Sequence, residues 1–440
     1  MQTAEKLKRL TEGAKYDGSC SSSGSSRAAA YGKIGLTSAS GICHSFTPDG
    51  RCVALLKVLM SNMCIYNCKY CVNRSDADVA RATMSPQELC TVVMGFYKRN
   101  YIEGLFISSA VVKSPDYTME LMIKAVSMLR EECGFNGYIH FKGIPGCSPE
   151  LIDQAAALAD RLSFNIELPS RSGLKMLAPQ KTCESITESM RRIEGICRRQ
   201  PQEKKRTRKI LPAGQTTQMI IGATADDDAR ILTLSERMYL GLGMKRVYYS
   251  AYIPAVTDSA LPDSPPNLIR ENRLYQADWL LRFYGFTAAE LTRSGHNLDL
   301  DTDPKSAWAL RNLDKFPVEI NTADYSTLLR VPGIGVKGAN KITAARRYHS
   351  LDFDDLKRMR IALSRAKHFI LCRGKYFGAG MDNERIKREI TAPQFARTNP
   401  DQLTLTEPNP ENDPAKLDAY ISNIVTPANT LMTSVLTGEL

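Results

Sequence analysis

Three cysteines, Cys64, Cys68 and Cys71, lie within one short stretch of the sequence. Their spacing, C-x3-C-x2-C, allows a single loop to place three thiolates around one face of a cubane iron–sulfur cluster. The fourth iron then has no protein ligand and can chelate a small molecule, which a cluster with four cysteine ligands cannot do. A zinc site completed by a distant Cys or His is an alternative, although zinc sites usually use paired C-x2-C units and the sequence has no second unit.

The elements around this loop alternate between short apolar runs and longer amphipathic ones. Strands are predicted at residues 53–60, 105–109, 138–141, 162–167, 217–222 and 246–252, with helical patterns between them. Such alternation indicates a parallel sheet with right-handed crossovers, either a partial barrel or a doubly wound sheet. In both folds sites form beyond the carboxyl ends of the strands, and the cysteine loop follows the first strand directly.

The motif resembles the signature of the radical S-adenosylmethionine (SAM) superfamily, C-x3-C-x-aromatic-C, with Tyr70 in the aromatic position. The resemblance covers about residues 45–255. It implies a partial (β/α)6 TIM-like barrel, a [4Fe-4S] cluster bound by the three cysteines, and SAM on the open iron. It also implies reductive cleavage of SAM to methionine and a 5′-deoxyadenosyl radical, with an electron donor such as flavodoxin or ferredoxin.

Further SAM contacts are expected from the same resemblance. Ser108 and Ser109 stand where the family often has Gly-Gly-Glu, so hydroxyl and backbone contacts remain but the acid is missing. Asn165 and Glu167, alternate residues of the fourth predicted strand, are expected to bind the ribose or the amino group. A structural hydrogen-bond pair is the alternative for these two.

The fifth predicted strand and the loop after the fourth add weaker candidates. Ile220 and Ile221 resemble the apolar strip beside adenine, with plain barrel core as the alternative. Arg171, with Lys175 and Lys181 nearby, could bind the SAM carboxylate or a substrate phosphate, with solvated surface charge as the alternative. The sequence indicates no catalytic residue.

A Pro-Gly-Ile-Gly turn joins two helical patterns within residues 321–342. Glycines here permit positive φ and close approach of another molecule, and the amides at the start of the second helix form an anion site. The stretch resembles the helix-hairpin-helix motif, which binds DNA phosphates without reading bases; a docking hairpin for proteins is the alternative. The expected nucleic-acid contacts are Gly333, Ile334, Gly335, Lys337, Gly338 and Lys341.

Charge and composition agree with an anionic partner. The 440 residues carry a net charge of +11, and Lys and Arg greatly outnumber acidic residues between 337 and 375. The expected domains are an extension and linker at 1–44, the barrel at 45–255, a helical connection at 256–313, an all-α helix-hairpin-helix domain at 314–380 and a mostly disordered acidic tail at 381–440. A second basic run, at 198–209, is expected to be an exposed loop.

The sequence does not favour a membrane or secreted protein. The longest uncharged stretch, 419–438, is rich in Ser, Thr and Asn and contains Pro427, and no apolar run follows the charged start. We therefore expect a cytoplasmic location, in which the 12 cysteines serve as reduced thiols or metal ligands rather than disulfides.

The barrel and hairpin, together with the stretch from Leu274 to Phe286, resemble bacterial radical SAM proteins described as DNA modification or repair proteins without an established activity, which are associated with a uracil-DNA glycosylase-like partner. This resemblance implies duplex or single-stranded DNA as the partner and leaves the reaction open. Two other functions remain open from the sequence. One is a DNA-binding protein with a structural or redox-sensing cluster, and the other is a radical SAM enzyme that acts on a protein or a small molecule.

Overall fold

The computed structural model describes residues 2–14, 42–46, 52–199, 210–378 and 380–391. Most of the linker, most of the second basic run and the acidic tail beyond residue 391 lie outside these residues, so the expectations for them remain predictions, whereas the first residues of the tail form a helix, Asn383–Thr391. Contacts divide the chain into two compact units, Met1–Glu271 and Asn272–Leu440. None of the described helices has the length and apolar character needed to cross a bilayer.

The first unit is built on a sheet whose seven strands follow one another in chain order. The strands are β1 (Ile42–Phe46), β2 (Cys52–Leu59), β3 (Gly104–Ser108), β4 (Tyr138–Lys142), β5 (Arg161–Ser163), β6 (Gln215–Ile221) and β7 (Arg246–Ala251). All neighbours from β2 to β7 are parallel, and β1, which sequence analysis missed, is antiparallel to β2. Because the strand order never reverses, the sheet is a partial (β/α)6 barrel and not a doubly wound sheet. This confirms the predicted fold class.

Helix α1 (Thr3–Ala14) precedes the sheet, and further helices connect the parallel strands. The connecting helices are α2 (Pro86–Lys98), α3 (Pro115–Ser127), α4 (Pro149–Leu158), α5 (Arg171–Leu177), α6 (Cys183–Arg199) and α7 (Asp228–Leu242). Proline at the first turn of α2, α3 and α4 has the φ angle that a helix needs and lacks an N–H that would go unbonded. Side chains of Ser85, Ser114 and Asp227 accept hydrogen bonds from first-turn amides and so fix the starts of α2, α3 and α7.

The fourth parallel strand, β5, ends at Ser163 and is shorter than predicted; Glu167, four residues further along, has a φ of +65°, a left-handed conformation outside regular strand geometry. Pairing with β6 nevertheless continues past β5. The Glu167 N–H donates to the Gln218 carbonyl at 3.1 Å, and its own carbonyl accepts from Ile220 at 2.7 Å. The chain beyond β5 is therefore held against β6 while its side chains are redirected.

The second unit is mainly helical, and its boundary with the first lies within α8. Its helices are α8 (Leu268–Phe283), α9 (Ala288–Leu291), α10 (Pro304–Arg311), α11 (Tyr325–Arg330), α12 (Val336–Ala345), α13 (Phe353–Arg358), α14 (Leu363–Ala366) and α15 (Asn383–Thr391). A small sheet was missed by the all-helical prediction: β8 (Val318–Glu319), β9 (Ile370–Cys372) and β10 (Lys375–Tyr376). On α8, Leu274 and Leu280 are buried, and Phe283 is 46% exposed.

Candidate functional site

The three motif cysteines line one pocket of the first unit, at the carboxyl ends of the parallel strands. The pocket holds about 1120 Å³ of space, counting its open mouth. Residues at the ends of five strands and one residue of α1 complete its lining, among them Gly13, Leu59, Ser108, Lys142, Ile220 and Ser250. The position is the one expected of an active site in a parallel α/β fold.

Backbone amides inside the cysteine loop donate to two of the sulfurs. The Tyr66 N–H donates to Cys64 Sγ and the Asn73 N–H to Cys71 Sγ, each at 3.4 Å. Such bonds stabilise a thiolate, which is the form that binds iron. Among the described residues, no three Cys, His, Asp or Glu side chains converge as they would around a single ion. Cysteines that bind a four-iron cluster each hold a different iron and so stay apart.

Burial raises the pKa of Cys71 to about 11 and also raises the pKa of Cys68. Both are therefore thiols without a metal, and an iron cluster must displace their protons when it binds. Tyr70 is buried beside Cys68, and burial raises its pKa well above the ordinary value, so the hydroxyl stays protonated. The three cysteine sulfurs are soft ligands that line the same pocket, and backbone amides donate hydrogen bonds to two of them. This arrangement fits a [4Fe-4S] cluster.

An ion pair faces the cysteines in the same pocket. Lys181 Nζ lies 2.8 Å from Glu167 Oε1, and both side chains are largely buried. Burial opposes the charge of Lys181, but attraction to Glu167 outweighs it, and the pKa of Lys181 lies well above its ordinary value. Among the described lining residues, Glu167 is the only carboxylate. The left-handed backbone at Glu167 is a strained conformation of the kind that concentrates at functional sites.

Most of the residues that sequence analysis proposed for SAM lie in this pocket, namely Tyr70, Ser108, Ser109, Asn165, Glu167 and Ile220. The Ser108 hydroxyl is buried and has no hydrogen-bond partner within the described chain, so it can bond to a ligand. Asn165 Nδ2 donates to Gln218 Oε1 at 3.3 Å, and both residues line the pocket. Asn165 and Glu167 reach it from beyond the end of β5 rather than from the strand itself.

Two proposed residues lie elsewhere. The Arg171 side chain is 79% exposed and pairs with Glu184 at 2.6 Å, because Arg171 begins α5 on its solvent side. The cation that this part of the chain does place in the pocket is Lys181. Ile221 is fully buried outside the pocket, because successive residues of a strand point to opposite faces and Ile220 faces inward.

Sequence analysis missed two further parts of the site. Gly13, near the end of α1, lines the pocket; a Cβ there would lie 2.9 Å from Leu59 Cδ1, so a larger residue would have to displace the Leu59 side chain. The segment after β7 contributes Tyr252 and Ile253. Neither follows from a motif, because both depend on how distant segments close over the strand ends.

In the second unit, α11 and α12 form the predicted hairpin. Gly333 has a φ of +86°, and a Cβ there would lie 2.6 Å from the Ala362 carbonyl oxygen, so this position needs glycine. Gly335 does not adopt the positive φ that glycine permits: its φ is −92° and its ψ 177°, an extended conformation open to any residue. Gly335 is the N-cap of α12 and has no side chain to bond the first-turn amides.

Of the other four hairpin residues, two face the protein interior and two face the solvent. Ile334 is fully buried, and a Cβ on Gly338 would lie 2.8 Å from Ile361 Cδ1, so both face the protein. Lys337 and Lys341 are exposed on α12. The outward-facing candidates for phosphate are therefore the amides at Gly335 and these two lysines.

A buried lysine lies under the turn. Lys305, 2% exposed, donates from Nζ to the Ile334 carbonyl at 2.6 Å and lies 4.7 Å from the centre of the Tyr284 ring. Burial lowers the pKa of Lys305 to about 7, against the attraction of Asp303. Two further cations that face it, Arg330 and Arg365, lower the pKa as well.

This lysine gives the second unit a pH-dependent stability. Above pH 7 the folded chain releases the Lys305 proton, whereas the unfolded chain keeps it up to a pKa of about 10.4. Stability should therefore rise with pH across this window, by up to about 1.4 kcal/mol per pH unit. Lys305→Met removes the charge, so we expect it to be more stable than the wild type at about pH 6 and to lose most of this advantage by about pH 9.

Tryptophan fluorescence during urea unfolding measures this effect, because both tryptophans, Trp279 and Trp308, belong to the second unit. The difference between the two proteins at each pH removes the contribution of all other groups. A difference that stays constant across the window would show that Lys305 does not titrate there.

Comparisons with known proteins add distant likenesses only. No known family profile matches the sequence, and no curated protein matches it. Among solved structures, HydG, a maturase of the [FeFe]-hydrogenase, is 13% identical with a TM-score of 0.39 and aligns over 51% of this chain and 48% of its own. HydG from Carboxydothermus hydrogenoformans is 12% identical, also with a TM-score of 0.39, and aligns over 51% and 50%.

A radical SAM methyltransferase from Sphaerobacter thermophilus is 16% identical with a TM-score of 0.36, over 55% of this chain and 70% of its own. The chain thus spans about half the length of the HydG chains, 48% and 50%. The residues of the pocket itself therefore carry the functional assignment.

Proposed function

We propose that this protein is a radical SAM enzyme, with a [4Fe-4S] cluster held by Cys64, Cys68 and Cys71. The observation that carries the proposal is the meeting of these cysteines with the Glu167–Lys181 pair in one pocket at the strand ends. When bound, the reduced cluster would cleave SAM to methionine and a 5′-deoxyadenosyl radical that takes hydrogen from the substrate.

The lining residues suit a zwitterionic amino acid attached to a nucleoside. Glu167 can accept hydrogen bonds from an ammonium group, and Lys181 can donate to a carboxylate. The pocket thus supplies an acid, although the family's Gly-Gly-Glu position holds Ser108 and Ser109. The Ser108 hydroxyl and the Asn165 amide offer further bonds, and Ile220 offers an apolar surface for a base.

Replacing Lys181 tests this arrangement. Lys181→Met should weaken SAM binding to the cluster-loaded protein by about tenfold or more, since a charge-assisted hydrogen bond to the SAM carboxylate is lost. The change in the cluster's EPR spectrum during SAM titration measures the affinity. Lys175→Met, an exposed lysine of α5, is the matched control and should bind SAM like the wild type. Equal affinity of the Lys181→Met and Lys175→Met proteins for SAM would show that Lys181 does not contribute to SAM binding.

We further propose that the substrate is nucleic acid and that the reaction is a DNA modification or repair step. Three features support this proposal: the hairpin motif, the N-cap residue Gly335, which has no side chain to bond the first-turn amides of α12, and the exposed Lys337 and Lys341. Such groups bind phosphates and carry no sequence information. A base or sugar must also be accessible, by flipping or in a single strand, before a barrel enzyme can act on it.

Mass spectrometry of nucleosides tests the substrate class. DNA incubated with the reconstituted enzyme, SAM and dithionite should contain a changed nucleoside that is absent with the Cys68→Ala protein. Unchanged DNA alongside SAM cleavage would contradict the nucleic-acid proposal and leave the radical SAM proposal standing. We also propose that in the cell a flavodoxin or ferredoxin donates the electron and that a uracil-DNA glycosylase-like protein is a partner.

A further inference from the structure

The cysteine loop leaves the sheet after β2 and returns before α2, and its two ends pair with each other. The Asn62 N–H donates to the Ala82 carbonyl at 3.2 Å, and the Met84 N–H donates to the Met60 carbonyl at 3.0 Å. The Asn62 side chain donates to the Ala80 carbonyl at 2.9 Å and accepts from the Ala82 N–H at 2.7 Å. The base of the loop is therefore closed by the chain itself.

Arg81, beside that base, binds the interior of the loop. Its Nη1 donates to the carbonyls of Asn62 at 2.7 Å and Asn73 at 2.9 Å. Its Nη2 donates to the carbonyls of Arg74 at 2.6 Å and Ala77 at 2.8 Å. Asn62 precedes the first motif cysteine and the other three residues follow the last one, so one side chain joins both limbs of the loop.

From these contacts we infer that Arg81 is a positioning residue, which holds the three cysteines in their ligating arrangement before a cluster binds and adds a positive charge to the ligating loop. This inference rests on the proposed cluster. Arg81 lies ten residues beyond Cys71 and outside the motif, so the spacing of the cysteines gives no hint of it.

The geometry requires arginine in particular. A guanidinium has five N–H donors in a rigid fork and can reach carbonyls on two sides, whereas a lysine has one nitrogen with three donors and cannot span both limbs. A loop that is already ordered loses less conformational entropy when it binds its ligand.

The charge of Arg81 has a second consequence. In the part of the chain that the structure describes, the hydrogen bonds of its guanidinium all go to carbonyl oxygens, so no carboxylate neutralises it. A cluster bound by three thiolates becomes more negative by one charge when it is reduced. Arg81 binds the carbonyl of Asn73, whose N–H donates to Cys71 Sγ, and a cation on the ligating loop favours the reduced state because net charge and hydrogen bonding around a cluster set its potential.

Three variants of the full chain separate the two effects. Arg81→Met removes both the hydrogen bonds and the charge, and Arg81→Lys keeps the charge. Arg99→Met, at the exposed end of α2, is the matched control. Hydrogen exchange of residues 64–77 in the cluster-free protein reports on loop order. Iron retained against a chelator and the midpoint potential of the reconstituted cluster report on the ligand site.

We expect faster loop exchange in both Arg81 variants and iron binding weaker by about tenfold or more in Arg81→Met. The midpoint potential should shift to more negative values in Arg81→Met and less so in Arg81→Lys, a result that a merely structural role would not produce. The inference would be overturned if the Arg81→Met protein had the same loop hydrogen exchange, iron retention and midpoint potential as the wild type. If the wild type takes up no cluster, the proposed function fails, while loop exchange in the cluster-free proteins still decides whether Arg81 orders the loop.

Discussion

Anaerobically reconstituted Cys64→Ala, Cys68→Ala and Cys71→Ala proteins should lack the absorption and EPR signals of a [4Fe-4S] cluster. Each variant removes one of three thiolates, and no other cysteine lines the pocket within the described chain to replace it. Loss of one ligand leaves a second iron without a protein ligand and only two thiolates to hold the cluster, so we expect the cluster content to fall to background rather than by a third. Iron and sulfide analysis, together with EPR after reduction, measures the effect.

Cys90→Ala and Cys197→Ala are the matched controls for this prediction. Cys90 is buried on α2, where its thiol contacts the Ala125 carbonyl at 3.5 Å, and Cys197 lies on α6. Neither lines the pocket. Both control proteins should therefore form a full cluster. A cluster that survives in Cys64→Ala would refute the ligand assignment.

Gly335→Val should weaken binding to duplex and single-stranded DNA by about tenfold or more, because its side chain would cover the first-turn amides of α12 that are to bind phosphate. The extended backbone at Gly335 accepts valine, so the fold should be retained. Gly333 differs in this respect, since its positive φ and the nearby Ala362 carbonyl tolerate no side chain. The prediction thus separates a binding defect from a folding defect at two neighbouring glycines.

Salt-titrated binding measures this second effect. Wild-type affinity should fall steeply with salt as counterions are released, and Lys341→Glu should weaken binding and flatten the salt dependence. Gly241→Val, on α7 with open space around it, is the matched control. Cluster content and tryptophan fluorescence should be unchanged in Gly335→Val. Equal affinity of wild type and Gly335→Val would contradict a role of the hairpin in nucleic-acid binding.

Local patterns were sufficient to predict the barrel and the place of the cysteine loop. The parallel strands are close to their predicted positions because each is a short apolar run between helical patterns, and a loop after the first strand has to lie at the carboxyl edge. β1 was missed, and so were the very short strands β8, β9 and β10. Their pairing depends on distant segments rather than on a periodic pattern in their own residues.

The choice among polar residues near the pocket needed the three-dimensional structure. Arg171 and Lys181 lie in one stretch that sequence analysis treated as a loop, and only the formation of α5 turns Arg171 to solvent while Lys181 reaches Glu167. Similarly, the two glycines of the hairpin look alike in sequence. Of these two, only Gly333 has a positive φ and lies so close to α14 that a side chain would not fit there. Such differences come from packing between elements, which spacing along the chain does not encode.

Formation of 5′-deoxyadenosine tests the central claim most directly. The wild-type protein, reconstituted anaerobically and given dithionite and SAM, should produce 5′-deoxyadenosine and methionine, and the Cys68→Ala protein treated in the same way should produce neither above background. Liquid chromatography with mass spectrometry measures both products. If the wild type, with a full cluster, forms no more 5′-deoxyadenosine than Cys68→Ala, the protein is not a SAM-cleaving enzyme and the cluster has a structural or redox-sensing role.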